Sequence, residues 1–360
     1  MKSFHSNADS DNPLGHQIHE ADELEQGAQE DQGATIELTG HSIPERHPDW
    51  PPLAVTFWFS GHDTYQDMEG LAPYLADKDL YFYEGRSDQI TDVLQYFANN
   101  LFETDEVERW MNAQSIGERP LVGSALEAQL RAVIGTGVVV GSFDVTGKDL
   151  EDARAPFFNV GPLPKGESNE DALANYTELE VQRAEAQNQR EARMIPNFEQ
   201  EVGKILTEHP DLKGKSPLNI LISMGSYHTT LGHLFGEHGV PSEHYFSGGT
   251  PYTHDYRNEL RRTFAFGKVP SEELIQRSYV ESLIGGGFES VSGVPLREMS
   301  AEDQMRYLRG FVSRLSTDQL SKLISLYRQD TETLDEYDAI LAQSGQRFPR
   351  SIQDLREQSE

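Results

Sequence analysis

Four short apolar runs stand out along an otherwise polar chain: 53–59 (LAVTFWF), 80–83 (LYFY), 133–140 (VIGTGVVV) and 218–224 (LNILISM). The runs are continuous rather than alternating, and the first is rich in β-branched and aromatic side chains, the pattern of strands covered on both faces. They predict β-strands over 53–59, 80–83, 138–143 and 218–224. Between them the spacing of apolar positions turns helical. A helix is expected around Asp67–Ala76, and the strand–helix–strand order of 53–83 reads as a βαβ unit with parallel pairing. Ser87 suits the N-cap of a helix over Asp88–Leu101, with Ile90, Val93, Leu94 and Phe97 on one face. Further helices are expected over Asp105–Asn112, Leu126–Ile134, Asn169–Thr207 and Thr230–Glu237. Pro196 should kink or split the long one, because it removes a backbone donor.

Residues 1–48 are polar, acidic and aperiodic, the composition of a disordered tail. Pro48, Pro51 and Pro52 mark the start of folded chain. Beyond Ser271 the pattern is mostly helical, and Ser300 with Asp303 and Ser316 with Gln319 fit capping-box spacing. The expected organisation is an acidic tail over 1–48, an α/β core domain over 49–265, and a helical region over 266–360 packed on the core. The fold class is therefore α/β, with a mostly parallel central sheet flanked by helices and a helical C-terminal extension.

Composition narrows the function classes. The chain has 60 acidic and 30 basic residues, a formal net charge of −30. Such a field repels phosphate backbones, so nucleic acid is not an expected partner. No apolar run approaches the roughly 20 residues of a membrane-spanning helix, and the N-terminal segment lacks the apolar stretch of a signal peptide. A soluble cytoplasmic protein without membrane insertion is expected. Oligomeric state is not legible. There is no cysteine, which removes disulfides, thiolate metal sites and a cysteine nucleophile. No Gly-x-Ser-x-Gly elbow and no phosphate-binding Gly-x-x-x-x-Gly-Lys-Ser/Thr loop is present. Gly285, Gly286 and Gly287 lack the preceding strand that a nucleotide loop needs.

Three polar residues remain where predicted strands stop. His62 follows 53–59 and Gly61, Glu84 follows 80–83, and His228 follows 218–224 and the turn Gly225-Ser226-Tyr227. In open parallel sheets ligands bind beyond the carboxyl ends of the strands. Two imidazoles and a carboxylate there suit either of two chemistries. They can hold a divalent metal such as Mn, Co or Zn, or hold and deprotonate a water without one. Glu84 would set the tautomer or charge of a histidine. Strand ends commonly carry polar residues, so the competing expectation for each is a structural role. Arg190 shares a helical stripe with Met194 and Phe198; on that face its guanidinium needs an anion, either Glu84 or a substrate oxygen. Asp63 is close enough to His62 to assist it; His228, His233 and His238 step by five, which scatters them around a helix and argues against one helical metal site, and His244 and His254 flank the loop 247–251, which edges a pocket or simply turns.

The segments FSGHDT (59–64) and LYFYEG (80–85) resemble the opening of the TraB/Tiki and erythromycin esterase/ChaN-like superfamily. Its members begin with a strand, a glycine–histidine motif, a helix, and a strand ending in glutamate. MGSYHTTLG (224–232) is similar to the second motif of that superfamily, with Gly225 and His228 in place. QREARM (189–194) resembles the Glu-Arg-Asp-x-x-Met helix of the TraB/Tiki branch at Arg190 and Met194. The likeness spans roughly 53–240. Phe59 stands where the first motif has a glycine, and Glu191 stands for an aspartate. The resemblance implies an α/β fold with a cleft. It implies metal-dependent peptide hydrolysis for Tiki-like members, metal-independent ester hydrolysis for esterase-like members, and haem binding for ChaN-like members.

Two functions therefore compete. One is a hydrolase of amide or ester bonds acting on a small-molecule or peptide substrate through His62, Glu84, His228 and Arg190, with metal ligation expected, if at all, from the first three. The other is a non-catalytic protein of the same fold that holds a small ligand, haem or a protein partner.

Overall fold

A computed structural model describes residues 49–360 except 62–64, 86, 103, 114, 117–118, 121–122, 159–162, 229, 248–254, 295 and 330–332. The acidic tail over 1–48, His62, Asp63 and His254 thus lie outside the described residues.

The strands are β1 (Leu53–Ser60), β2 (Leu80–Tyr83), β3 (Ser115–Ile116), β4 (Arg119–Pro120), β5 (Val139–Gly141), β6 (Leu218–Gly225) and β7 (Ser242–Phe246). β3 and β4 form a separate small hairpin, and the other five make one sheet in the order β5-β2-β6-β1-β7, parallel throughout. The four predicted strands fall where the apolar runs placed them. Two details differ. β1 and β2 are not partners, because β6 lies between them. β7 was not predicted: its sequence, Ser-Glu-His-Tyr-Phe, mixes polar and aromatic positions because it is a half-buried edge strand.

The helices are α1 (Tyr65–Met68), α2 (Ala72–Leu75), α3 (Asp88–Asn99), α4 (Thr104–Ala113), α5 (Ala125–Val133), α6 (Gly147–Phe158), α7 (Asn169–Glu208), α8 (Leu231–Glu237), α9 (Tyr256–Ala265), α10 (Glu272–Ser292), α11 (Ala301–Ser313), α12 (Thr317–Arg328), α13 (Leu334–Leu341) and α14 (Ile352–Ser359). The helix expected over 67–76 is broken instead into α1, a 3-10 turn and α2. α6 was not foreseen. α7 runs unbroken for 40 residues with Pro196 inside it. The ring fits helical φ, and the missing hydrogen bond costs about 3 kcal/mol. Burial of Met194, Ile195 and Phe198 around it offsets this at about 1.5–3 kcal/mol for each large side chain. Gly285, Gly286 and Gly287 lie within α10, where Gly287 allows Phe348 to approach.

The continuous apolar runs are explained by the two covered faces of the sheet. Leu53, Val55, Phe57 and Phe59 point to one face with Leu80, Phe82, Ile220 and Ile222; α7 and α8 cover it with Phe198, Val202, Ile205, Leu234 and Phe235. Trp58, Tyr81, Tyr83 and Leu221 point to the other, covered by α3, α4 and α5. A third core joins Ala172 and Tyr176 of α7 to Leu260 of α9 and to α10–α14. α7 therefore serves two cores, its C-terminal half on the sheet and its N-terminal half among the C-terminal helices. Among the described residues no helix is long and apolar enough to cross a membrane.

The helical region also reaches the carboxyl ends of the strands. Ala301 N–H, at the start of α11, donates to buried Asp67 Oδ1 at 2.9 Å. Gly61 lies beneath that junction: a Cβ there would stand 2.4 Å from Ala301 Cβ and 3.0 Å from Asp67 Oδ1. Asp67 thus ties α1 to α11, and its burial is structural.

Candidate functional site

The sheet order makes β5, β2, β6 and β1 successive neighbours, so the chain leaves all four strands along one edge. Asp144 follows β5, Glu84 follows β2, His228 follows β6, and His62 follows β1 two residues after Ser60. α7 crosses this edge and adds Gln187, Arg190 and Glu191 from one buried face.

Arg190 is the hub. Its Nε donates to Asp144 Oδ1 at 3.0 Å, and its Nη2 donates to Asp144 Oδ2 at 2.6 Å and to Glu84 Oε1 at 3.0 Å. Burial opposes its charge, but Glu84 and Asp144 more than offset this, and the guanidinium is held charged more firmly than a free arginine. Asp144 is fully buried and is also fixed by the backbone N–H groups of Gly85 (3.1 Å) and Val145 (2.7 Å). Glu84 Oε2 accepts from Gly225 N–H at 2.7 Å, which locks the end of β2 to the end of β6.

His228 lies between two carboxylates. Its Nε2 is 3.1 Å from Glu84 Oε1, and its Nδ1 is 3.5 Å from Glu191 Oε1 and 3.1 Å from Gln187 Nε2. Glu191 is itself held by Gln187 Nε2 (2.8 Å), Thr230 N–H (2.9 Å) and Thr230 Oγ1 (2.5 Å). Burial pushes His228 down, and Arg190 adds to that; the facing Glu84 and the contact with Glu191 outweigh both and lift its pKa to about 9. The Gln187 amide nitrogen would instead suit a neutral ring with a bare Nδ1. We assign the charged form, because two carboxylates outweigh one neutral amide that can rotate. Glu84 lies off the Nε2–H direction, so this buried donor has no hydrogen-bond acceptor among the described residues.

Glu84, His228 and Arg190 are thus brought together, and Arg190 is buried rather than part of a surface ion pair. The position of the His62 side chain lies outside the described residues. Asp144, Gln187 and Glu191 join the cluster without having been singled out for it. Asp144 was detectable, since it follows a predicted strand as Glu84 does. Gln187, Glu191 and Met194 share the stripe that contains Arg190, and Glu191 occupies the position where the resembling motif has aspartate. Two other histidines are explained locally: His244 packs edge-on against Phe57 and Phe59 with Nε2 3.0 Å from Ser242 Oγ, and His233 pairs with Glu237 at 3.2 Å on an exposed helix face.

The same geometry tests the expected metal. Glu84 directs Oε1 at Arg190 and Oε2 at Gly225, and the charged ring of His228 has no lone pair to give. Among the described residues no group of three His, Cys, Asp or Glu could hold a metal ion, and His62, the third expected ligand, lies outside them. What the arrangement brings together is two cationic side chains at one glutamate oxygen, Arg190 through Nη2 at 3.0 Å and His228 through Nε2 at 3.1 Å, with Asp144 and Glu191 behind them. No family model, no curated protein and no solved structure matches the chain.

Proposed function

We propose that the chain hydrolyses an ester or amide bond of a small-molecule or peptide substrate by adding water, without a resident metal. The observation that carries this is the pair of cationic donors, Arg190 and His228, meeting at Glu84 on the edge where ligands of parallel sheets bind. In the reaction water adds to the carbonyl carbon and loses a proton, the carbonyl oxygen becomes an oxyanion, and the C–O or C–N bond breaks as the leaving group gains a proton. Arg190 and His228 supply the positive charge that the oxyanion needs. A ring protonated at neutral pH does not serve as base, so that part falls to His62, next to Gly61 at the end of β1. Glu84 orients both cations, and Asp144 and Glu191 hold them from behind. Metal-independent ester hydrolysis is what the resemblance implies for the esterase-like branch.

A second reading, that the cleft holds a small ligand, haem or protein partner without turning it over, is favoured by one observation: His228 is 1% exposed and enclosed by Glu84, Gln187 and Glu191. Screening the purified chain against ester and peptide panels, with chelator or with added Mn²⁺, Co²⁺ or Zn²⁺, separates the readings. Chelator-resistant turnover that falls by about 10²-fold or more in His62→Ala supports the proposal, general-base help being of that size. Turnover only with added metal points to a metal-dependent hydrolase. Tight binding without turnover establishes the second reading.

A further inference from the structure

Seven residues before Gln187, on the same face of α7, a second buried cluster centres on Glu180. Three guanidinium groups converge on this one carboxylate. Arg183, one turn along α7, and Arg261 of α9 each donate to it, Arg261 through Nε at 2.6 Å; Arg257 Nε approaches at 3.3 Å. Burial opposes ionisation of Glu180, but Arg261, Arg257 and Arg183 overcome it and hold the carboxyl at about 2. Of the other acids nearby, Glu281 accepts the backbone N–H of Arg257, yet burial, together with the neighbouring Asp255, pushes its carboxyl well above the usual range. Burial also raises Asp255. Glu180 is thus the one carboxylate that all three guanidinium groups contact.

The cluster's donors outnumber its acceptors. Arg183 Nη1 is used on Glu180 and Nε on Pro156 O; Arg261 Nε is used on Glu180. Arg183 Nη2 and Arg261 Nη2 are buried and meet no hydrogen-bond acceptor among the described residues. A buried cationic donor left without an acceptor is costly, and such orphans commonly mark a missing ion or water. Both belong to guanidinium groups anchored on the same carboxylate, so they lie on neighbouring forks. Phe157 lies against both groups, at 5.9 Å and 5.0 Å from ring centroid to guanidinium carbon. Tyr227, 40% exposed and adjacent in sequence to His228, covers Arg261 at 5.4 Å.

We propose that Arg183 and Arg261 form a binding subsite for one oxyanion group, a carboxylate or a phosphate, that enters past Tyr227. Two forks presenting one free Nη2 each match the paired oxygens of either group. The site stands on the arginines alone and does not require the His228 centre to be catalytic.

The test is titration of the full chain with sodium phosphate, sodium acetate or sodium chloride at matched ionic strength. The readouts are thermal unfolding and the ¹⁵N–¹H signals of the arginine Nε groups. The expected result is saturable stabilisation by phosphate or acetate beyond that of chloride, with the Arg183 and Arg261 signals moving. Arg261→Gln should weaken it by about tenfold or more, the worth of a charge-assisted hydrogen bond. Tyr227→Ala should leave the chain folded and change the rate of anion entry. Saturation by phosphate alone identifies a phosphate site, and saturation by acetate a carboxylate site. If Arg261→Gln does not fold, the wild-type arginine signals decide. Stabilisation equal to that of chloride, unmoved Arg183 and Arg261 signals, or unchanged affinity in a folded Arg261→Gln would overturn the proposal.

Discussion

Arg190 and Asp144 meet fork to fork, Nε on Oδ1 at 3.0 Å and Nη2 on Oδ2 at 2.6 Å, with both side chains buried. Breaking one partner of such a pair leaves an uncompensated charge inside the protein. Asp144→Asn should therefore destabilise the fold by about 3–5 kcal/mol in urea unfolding. The double variant Asp144→Asn/Arg190→Met should cost less than the sum of the two single changes, since neither charge is then orphaned. Strict additivity would mean that the pair is not energetically coupled.

His228 gives a second prediction, through pH. Its pKa is raised from an ordinary 6.5 to about 9. The stabilisation from its charge is therefore fully present below about 6.5 and is lost as pH rises through about 9. The stability difference between wild type and His228→Gln should shrink across that window, measured by unfolding at a series of pH values. An NMR titration of the ring should show it protonated at pH 7.5. A ring that titrates near 6.5 would favour the neutral form facing Gln187, and would return His228 to the role of a base.

Glu180 carries the opposite sign. Its carboxyl is held at about 2 against an ordinary 4.5, so its contribution is present above 4.5 and fades as pH falls toward 2. Glu180→Gln should cost about 3–5 kcal/mol at neutral pH, because three buried arginines lose their shared counter-charge. That cost should diminish on acidification below 4.5. A cost that does not change with pH would show that packing rather than charge is lost.

Gly61→Ala tests the closure of the strand ends. The added carbon would stand 2.4 Å from Ala301 Cβ, so the start of α11 must move. A loss of about 1–3 kcal/mol is expected from such overpacking. Ala301→Gly in the same chain should recover most of it. No recovery would place the strain at Asp67 instead, whose Oδ1 is 3.0 Å from the same position.

Much of this fold was legible from local pattern. Residues 53–59 and 218–224 read as buried strands because both faces of the sheet are covered, which leaves no polar alternation to confuse the signal. β7 was not legible, since an edge strand covered only in part has no continuous apolar run. The insertion of β6 between β1 and β2 was equally hidden, as strand order depends on crossovers that periodicity does not encode. At the site, the strand-end rule found Glu84 and His228 and would have found Asp144 had it been applied to 138–143. Gln187 and Glu191 were harder to see. Polar residues on a buried helical stripe look like surface until their partners from distant strands are in place.

The double duty of α7 has a consequence for the order in which the chain can fold. Ala172 and Tyr176 are buried in a core made mostly of residues that come much later, Tyr176 through bonds to Ser278 and Ser282 and a core that extends to Leu355. During synthesis the sheet face of α7 can begin to dock once β6 has emerged, while its first turns wait for more than a hundred further residues. Non-local closure of this kind is slow. A ribosome-bound chain that stops before α9 should accordingly have a docked C-terminal half of α7 and a frayed N-terminal half, because Leu260, Ser278 and Ser282 are still to be made.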